Sequence, residues 1–209
     1  MKKVLFLNKM QCIRQLEELK KLSSNIRLAA EDWNENWKIL LSTLLSARTR
    51  DEVTIPVAQK LFDVYKNVEN LSKASLNDIQ KIIRPVNFYK NKSKNLLNCV
   101  KILQENYKGI PPLDFDKLIE LPGVGRKTAN VFLSEIGKDT IGIDTHVNHI
   151  THKLGWTKNK TQKKIEEDLK KLFPKEYWAK INPILVRFGK TYTSRKKKDE
   201  LLDKIKKSK

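Results

Sequence analysis

The stretch LPGVGRKTAN sets two glycines around one valine and follows them with a basic pair, Arg126 and Lys127. Without side chains at Gly123 and Gly125, the backbone N–H groups at the start of a following helix can approach a phosphate oxygen. The helix dipole adds partial positive charge at the same place. A plain turn between two core helices is the alternative, since the glycines alone would satisfy it. Together with the basic pair, the stretch favours a phosphate-binding turn that reads no base sequence.

Apolar residues recur with a helical period along the whole chain and place this turn between two helices. Four successive helices are marked by Phe115, Leu118 and Ile119; by Ala129, Phe132, Leu133 and Ile136; by Val147, Ile150 and Leu154; and by Ile165, Leu169 and Leu172. No β-type alternation of useful length occurs, so an all-α protein is predicted.

Lys127 precedes Ala129 by two positions, about 200° around the helix, and is expected to point away from the core.

Polar residues at the expected helix starts agree with these stripes. Ser75 predicts the N-cap of one short helix, and Asp114 that of the helix before the glycine turn. Thr49 and Glu52 have the spacing of a capping box, but a helix from Thr49 would hold Pro56 inside it. Either that helix starts late, with Pro56 near its first turn, or it begins at Thr49 and bends.

The charge balance points to an anionic partner. The 209 residues include 43 Lys and Arg against 24 Asp and Glu, a formal net charge of +19. Such a chain is expected to bind a polyanion through neutralised phosphates and released counterions, with nucleic acid as the first candidate. A lysine-rich proteome, which raises every pI, is the alternative. No apolar run approaches the roughly 18 to 20 residues that span a bilayer, so we expect no membrane partner and a cytoplasmic location.

Ordered matches along the chain carry a family resemblance. LPGVGRKTAN resembles the helix-hairpin-helix of the endonuclease III family of DNA glycosylases, and IDTH at 143–146 resembles that family's second motif. Further segments that resemble the family are STLLSARTRDE, NFYKNKSKNL, EEDLKKLFPKEYW and LVRFGK. The resemblance implies a two-lobed, all-α fold with DNA in the cleft between the lobes. It implies a six-helix barrel with the hairpin at 29–138, a second domain from 1–28 and 139–209, and a monomer.

In that family the lysine two places after the second glycine is the nucleophile, and Lys127 holds that place. Asp144 matches the catalytic aspartate, which would stabilise positive charge on the sugar, and it also stands where a helix N-cap belongs. The implied reaction is extrusion of a nucleotide from double-stranded DNA, attack of the neutral amine at C1′, and a Schiff base that permits β-elimination. The predicted function is a bifunctional DNA glycosylase and AP lyase of base excision repair, which removes oxidised or damaged pyrimidines and, in a prokaryote, works at the nucleoid.

The resemblance also implies DNA contacts outside the reacting groups. Arg48 and Phe88 hold positions where the family inserts side chains into the base stack, and an arginine can pair with the orphaned base while a phenylalanine wedges between base steps. Asn87 stands where a glycine is usual, and asparagine tolerates a left-handed backbone. The contacts implied for the hairpin are Gly123, Val124, Gly125 and Arg126.

The chain departs from the family near its C-terminus, where four cysteines usually hold a [4Fe–4S] cluster. Cys12 and Cys99 are its only cysteines and both fall in apolar stripes, so we predict no cluster and no other cofactor. The final segment RKKKDELLDKIKKSK is either a frayed, solvated tail or an added phosphate-binding element. His146, His149 and His152 recur every three residues without an obvious acidic partner, and we expect no metal there.

Two other functions fit parts of the pattern. A non-catalytic helix-hairpin-helix module would grip DNA for a partner, but it needs only the glycines and basic surroundings. A mismatch or adenine glycosylase of the same fold typically lacks the lysine and would release a base without cutting the strand. Lys127 therefore favours the bifunctional enzyme.

Overall fold

A computed structural model describes residues 9–207, and the described part is built of helices and loops without a strand. The α-helices are α1 (Lys9–Leu22), α2 (Asn36–Ser46), α3 (Asp51–Val64), α4 (Val68–Ser72), α5 (Leu76–Ile83), α6 (Tyr89–Tyr107), α7 (Phe115–Ile119), α8 (Arg126–Glu135), α9 (Thr145–Leu154), α10 (Gln162–Leu172), α11 (Trp178–Thr191) and α12 (Arg195–Lys207). A short 3₁₀ turn, Lys175–Tyr177, precedes α11. The predicted all-α fold class is confirmed.

The chain divides into two compact units. The central unit is Arg27–Ile136, and the terminal unit joins Met1–Ile26 to Gly137–Lys209. Each unit has a hydrophobic core of its own. The central unit contains seven of the described helices, α2 to α8, when the short helices α4 and α7 of five residues each are counted. The functional division into a six-helix barrel and a terminal domain stays a prediction.

Apolar faces of α2, α3 and α6 form much of the central core. Leu40, Leu41 and Leu45 of α2 are fully buried, and complete burial of such a side chain contributes about 1.5–3 kcal/mol. Trp33 and Trp37 both pack edge-on against Phe62, with ring centroids 5.0 Å apart in each pair. This core fixes α2 and α6, whose ends carry residues of the candidate site.

Side-chain caps begin several helices as predicted. The Ser75 hydroxyl accepts a hydrogen bond from Asp78 N at 3.1 Å, and Asp114 Oδ1 accepts one from Lys117 N at 3.0 Å. Both predicted N-caps are confirmed.

Helix α3 begins differently from either alternative. Its N-cap is Arg50, and Pro56 lies inside the helix beyond its first turn. The Thr49 hydroxyl does not cap it, because that oxygen accepts a hydrogen bond from Asn87 N at 3.2 Å. A contact with a residue 38 positions away therefore overrides the local capping signal.

The C-terminal segment is a packed helix. Leu202 and Ile205 of α12 are buried in the core of the terminal unit, and Lys153 Nζ of α9 lies 2.9 Å from Asp203 Oδ2. The frayed-tail alternative is therefore wrong for Arg195–Lys207. The last two residues lie outside the described part.

Candidate active site and nucleic-acid interface

The turn between α7 and α8 is anchored from inside the central unit. Gly123 has φ +80°, and a Cβ there would lie 2.9 Å from Asn95 Cβ, so only glycine fits. Val124 is buried in the core, and its N–H donates to Leu121 O at 3.0 Å. Both the side chain and the N–H of Val124 are therefore committed within the protein.

Gly125 differs from Gly123, because the fold leaves room for a side chain at Gly125. It is the N-cap of α8 with φ −90°, and a Cβ there would meet nothing within 4 Å. The first hydrogen bond of α8 runs from Ala129 N to Gly125 O at 2.9 Å, so the N–H groups of 126–128 lie ahead of the helical ladder. The absent side chain leaves open space over the N-terminus of α8.

Arg126 holds the two helices of the hairpin together. Its guanidinium carbon lies 4.4 Å from the centroid of the Phe115 ring on α7, a distance at which cation–π attraction contributes.

Lys127 is the second residue of α8 and is partly exposed. Ala129 and Phe132 of the same helix are fully buried, so Lys127 lies off the apolar face as expected. Across residues 9–207, its amine makes no hydrogen bond and no ion pair. An amine held at the start of a helix without a partner is available to an incoming group.

Asp144 begins α9 in the terminal unit. Its Oδ1 accepts a hydrogen bond from Val147 N at 2.8 Å, which confirms the predicted N-cap. The preceding backbone is held by side chains, with Asn182 Nδ2 donating to Gly142 O at 2.7 Å and Gln162 Nε2 to Ile143 O at 3.0 Å. One carboxylate oxygen is therefore held by the helix that it caps, and the backbone that leads into Asp144 is held by α10 and α11.

Arg48 and Phe88 lie on two neighbouring loops of the central unit, and both are exposed. The Arg48 guanidinium carbon lies 4.9 Å from the Phe88 ring centroid. Both residues have a left-handed backbone, with φ 56° at Arg48 and 60° at Phe88. The left-handed residue was expected at Asn87 and is instead its neighbour; the Asn87 side chain donates from Nδ2 to Arg48 O at 2.6 Å.

Sequence reasoning missed Lys92, a buried lysine beneath these loops. Its side chain is only 7% exposed, and Nζ donates to Leu45 O at 2.7 Å, Ala47 O at 2.5 Å and Thr49 Oγ1 at 3.0 Å. Burial lowers the pKa of Lys92 to about 8, whereas its oxygen partners favour the charged form. No local pattern marks it, because it is one of several lysines in KNKSK and its partners are 43–47 positions away.

The histidines of α9 have ordinary partners. His149 Nε2 lies 2.7 Å from Asp199 Oδ1 of α12, and His152 Nδ1 lies 2.7 Å from Asn148 O. The acidic partner of His149 was not obvious from the sequence, because Asp199 is 50 positions away. Among the described residues, no group of three or more His, Cys, Asp and Glu could hold a metal ion.

The two cysteines do not fit an iron–sulfur cluster. Cys99 is buried in the central core and Cys12 in the terminal core. Burial raises the pKa of the Cys99 thiol to about 12 and that of Cys12 to about 11, which disfavours the thiolate that a cluster requires.

No helix within residues 9–207 has the length and hydrophobicity needed to cross a membrane.

A glycine turn between two helices of an all-α fold is typical of the helix-hairpin-helix class of DNA repair proteins. Residues 41–175 match the family model described as HhH-GPD superfamily base excision DNA repair protein. The chain is 42% identical to endonuclease III of Thermotoga maritima over 155 residues, which cover 74% of this chain and 73% of that protein. It is 36% identical to endonuclease III of Bacillus subtilis over 156 residues, covering 74% and 71%.

Solved structures agree with these relatives. A non-covalent endonuclease III–DNA complex matches with a TM-score of 0.82 at 30% identity, covering 91% of this chain and 89% of that one. A thermostable thymine-DNA glycosylase, at 18% identity and a TM-score of 0.79, shares the fold. This chain therefore belongs to the endonuclease III family of the HhH-GPD superfamily. The predicted class, a DNA-binding glycosylase and AP lyase of base excision repair, is confirmed.

Proposed function

We propose that Lys127 is the nucleophile and Asp144 the electrostatic partner of a bifunctional reaction on oxidised or damaged pyrimidines in double-stranded DNA. The observation that supports this most is the Lys127 amine, which is partly exposed and lacks a partner within the described residues. It lies two residues after Gly125, where a Cβ would meet nothing within 4 Å. A backbone phosphate bound at that opening would hold the strand beside the amine.

In the proposed reaction, the neutral amine of Lys127 attacks C1′ of an extruded nucleotide and the bond to the damaged base breaks. The sugar ring opens to a Schiff base between Nζ and C1′. Loss of a C2′ proton then expels the 3′ phosphate by β-elimination, and water releases the unsaturated sugar and restores the amine.

Asp144 contributes charge to this reaction. Its Oδ1 caps α9, and a carboxylate fixed in this way can stabilise the positive charge that develops on the deoxyribose as the base leaves. It can also accept and return protons around the amine. Lys127 and Asp144 belong to different units of the chain, and their meeting at one sugar is part of the proposal.

Arg48 and Phe88 are proposed to fill the gap left by the extruded nucleotide. Both are exposed on adjacent loops and are in contact through the guanidinium and the ring. An arginine can hydrogen-bond to the orphaned base edge, and a phenylalanine can wedge between base steps. Gly123, Gly125 and Arg126 are proposed to shape the phosphate contact, with Val124 as its anchor in the core.

The enzyme is further proposed to act as a monomer, at the nucleoid in the cytoplasm of a prokaryote, and without an iron–sulfur cluster. Two buried thiols in separate cores support the last point. Stoichiometric iron in the purified protein would contradict it.

Borohydride reduction on abasic-site duplex tests the assignment of the nucleophile. We expect wild type to form a covalent adduct and Lys127→Gln to form none. Lys117→Gln, which changes an exposed lysine of the same hairpin, is the matched control and should trap like wild type. An undiminished adduct in Lys127→Gln would show that another amine reacts.

The substrate class requires a second measurement. Duplexes that carry thymine glycol, 5-hydroxycytosine, 8-oxoguanine, uracil or a G·T mismatch should be compared in single turnover. We expect the two oxidised pyrimidines to be released fastest, and faster release from the mismatch would overturn the substrate assignment.

A further inference from the structure

Two exposed residues of the central unit are held in a conformation that their side chains disfavour. Arg48 and Phe88 both have left-handed φ values, and neither is a glycine. Such a backbone conformation is unfavourable for a residue with a side chain and persists only where its surroundings impose it. Contacts from residues packed under the two loops must therefore hold the backbone of Arg48 and Phe88 in this conformation.

The end of α2 supplies one side of that support. Helix α2 ends at Ser46, and its last carbonyl groups have no partner within the helix. Lys92 Nζ, reaching from α6, donates to Leu45 O and Ala47 O. A cation at a helix C-terminus also interacts favourably with the helix dipole.

The same ammonium connects to the second loop. It donates to Thr49 Oγ1, and that oxygen also accepts from Asn87 N, while the Asn87 side chain donates to Arg48 O. The backbone before Arg48 and the side chain after it thus meet at one buried amine, and the residue before Phe88 is joined to them through the Thr49 hydroxyl. Burial of a lysine without a carboxylate partner is unfavourable, and core packing alone gives no reason for it.

We propose that Lys92 is a positioning residue that sets the backbone of both loops and so presents Arg48 and Phe88 together to the DNA stack. This inference rests on the insertion role of those two residues in the proposed function. Lys92 touches neither the DNA nor the reacting atoms. It acts on the enzyme's use of duplex DNA and leaves the chemistry at Lys127 unchanged.

A comparison of duplex with single-stranded substrate separates positioning from a general structural role. Extrusion from a duplex leaves a gap and an orphaned base, whereas a single strand has neither. Lys92→Met should therefore lower the single-turnover rate on duplex abasic-site DNA by at least about tenfold, as displacement of positioned groups does. Borohydride trapping on the single-stranded abasic oligonucleotide should stay within about twofold of wild type.

Lys101→Met is the matched control, since it removes an exposed lysine from the same helix. It should leave both substrates unaffected. In a background of Arg48→Ala with Phe88→Ala, Lys92→Met should cause little further loss on duplex, because the residues that it positions are gone.

Equal losses on duplex and single strand, or an unchanged duplex rate, would overturn the inference. If Lys92→Met does not fold, as judged by circular dichroism, Thr49→Val replaces it in the test, because it removes the oxygen shared by Lys92 and Asn87. The loss of activity on duplex is then compared with the loss on single strand in the same way. Wild type that fails to trap on both duplex and single-stranded abasic DNA would instead overturn the assigned nucleophile, so the two failures are distinguishable.

Discussion

Asp144 caps α9, and a pair of substitutions can separate this role from the charge contribution that we propose for it. Asparagine is as good an N-cap as aspartate, whereas alanine loses about 1 kcal/mol of stability at this position. The free energy of unfolding of Asp144→Asn should therefore lie within about 0.5 kcal/mol of the wild-type value, and that of Asp144→Ala should be about 1 kcal/mol lower. Both should lose about a hundredfold or more in single-turnover base release, because both lack the charge.

Denaturant unfolding and single-turnover kinetics measure the two effects independently. Trp33 and Trp37 report on the central unit, and Trp156 and Trp178 on the terminal unit that contains Asp144. A wild-type rate in Asp144→Asn would show that the carboxylate serves only as a cap.

Lys92 gives the stability of the protein a specific dependence on pH. Burial lowers its pKa from 10.5 to about 8, so between these values the unfolded chain binds more protons than the folded one. The free energy of unfolding of wild type, relative to Lys92→Met, should therefore rise between about pH 8 and 10.5, by at most about 3 kcal/mol. The buried thiols act oppositely above pH 9 but are common to both proteins and cancel. A difference that stays flat or falls over this window would contradict the effect of burial.

For individual residues, only local interactions could be predicted from the sequence. Ser75, Asp114 and Asp144 cap helices as expected because the bonded N–H lies three residues away. Thr49 fits the same pattern but is used by Asn87 and Lys92, which are distant in sequence and adjacent in space. The positions of Lys127 and Asp144 in their helices were predictable, and the support beneath Arg48 and Phe88 was not.

The two hairpin glycines have different reasons for lacking a side chain. In Gly123→Ala the backbone would keep a positive φ, and the added Cβ would lie 2.9 Å from Asn95 Cβ. The substitution should therefore destabilise the central unit by about 1–3 kcal/mol. Gly125→Ala meets open space at an ordinary φ and should leave stability within about 0.5 kcal/mol.

Affinity for abasic-site DNA should instead fall in Gly125→Ala, because a methyl group would stand where the phosphate approaches. Thermal unfolding and fluorescence anisotropy measure the two quantities. Wild-type affinity in Gly125→Ala would contradict the proposed phosphate contact.

Helix α12 has to be tested by removing charge, since truncation would remove buried Leu202 and Ile205 and damage the terminal core. Lys196 and Lys197 are exposed, so changing both to glutamine should alter stability by no more than about 0.5 kcal/mol. If α12 contacts phosphates, the slope of log affinity against log salt should become shallower by up to about 1.8. An unchanged slope would show that α12 serves the core alone.

The same helix shows why elements of low hydrophobicity are difficult to predict. Its thirteen residues include only Leu201, Leu202 and Ile205 as apolar positions. Local composition therefore resembled a solvated tail. Packing against α9 and the pairs of Asp199 and Asp203 with His149 and Lys153 order the helix, and none of these is visible in the segment itself.

For the whole molecule, the proposed reaction takes one residue from each of two units with separate cores, Lys127 from the central unit and Asp144 from the terminal unit. Neither unit alone contains both Lys127 and Asp144, so the proposed chemistry requires the intact chain. The net charge of +19 draws DNA to the protein without selecting a lesion. Lesion selectivity therefore has to come from extrusion of the nucleotide and from the residues that meet it.

The position of the covalent bond decides whether Lys127 is the nucleophile. After borohydride reduction on abasic-site duplex, nuclease and trypsin digestion should leave one modified peptide. We expect the peptide of residues 127–138 with an uncut, sugar-bearing Lys127, because trypsin cleaves after Arg126 and Lys138 but not at an alkylated lysine. A sugar adduct mapped by mass spectrometry to any other lysine, with residues 128–138 recovered unmodified, would contradict it.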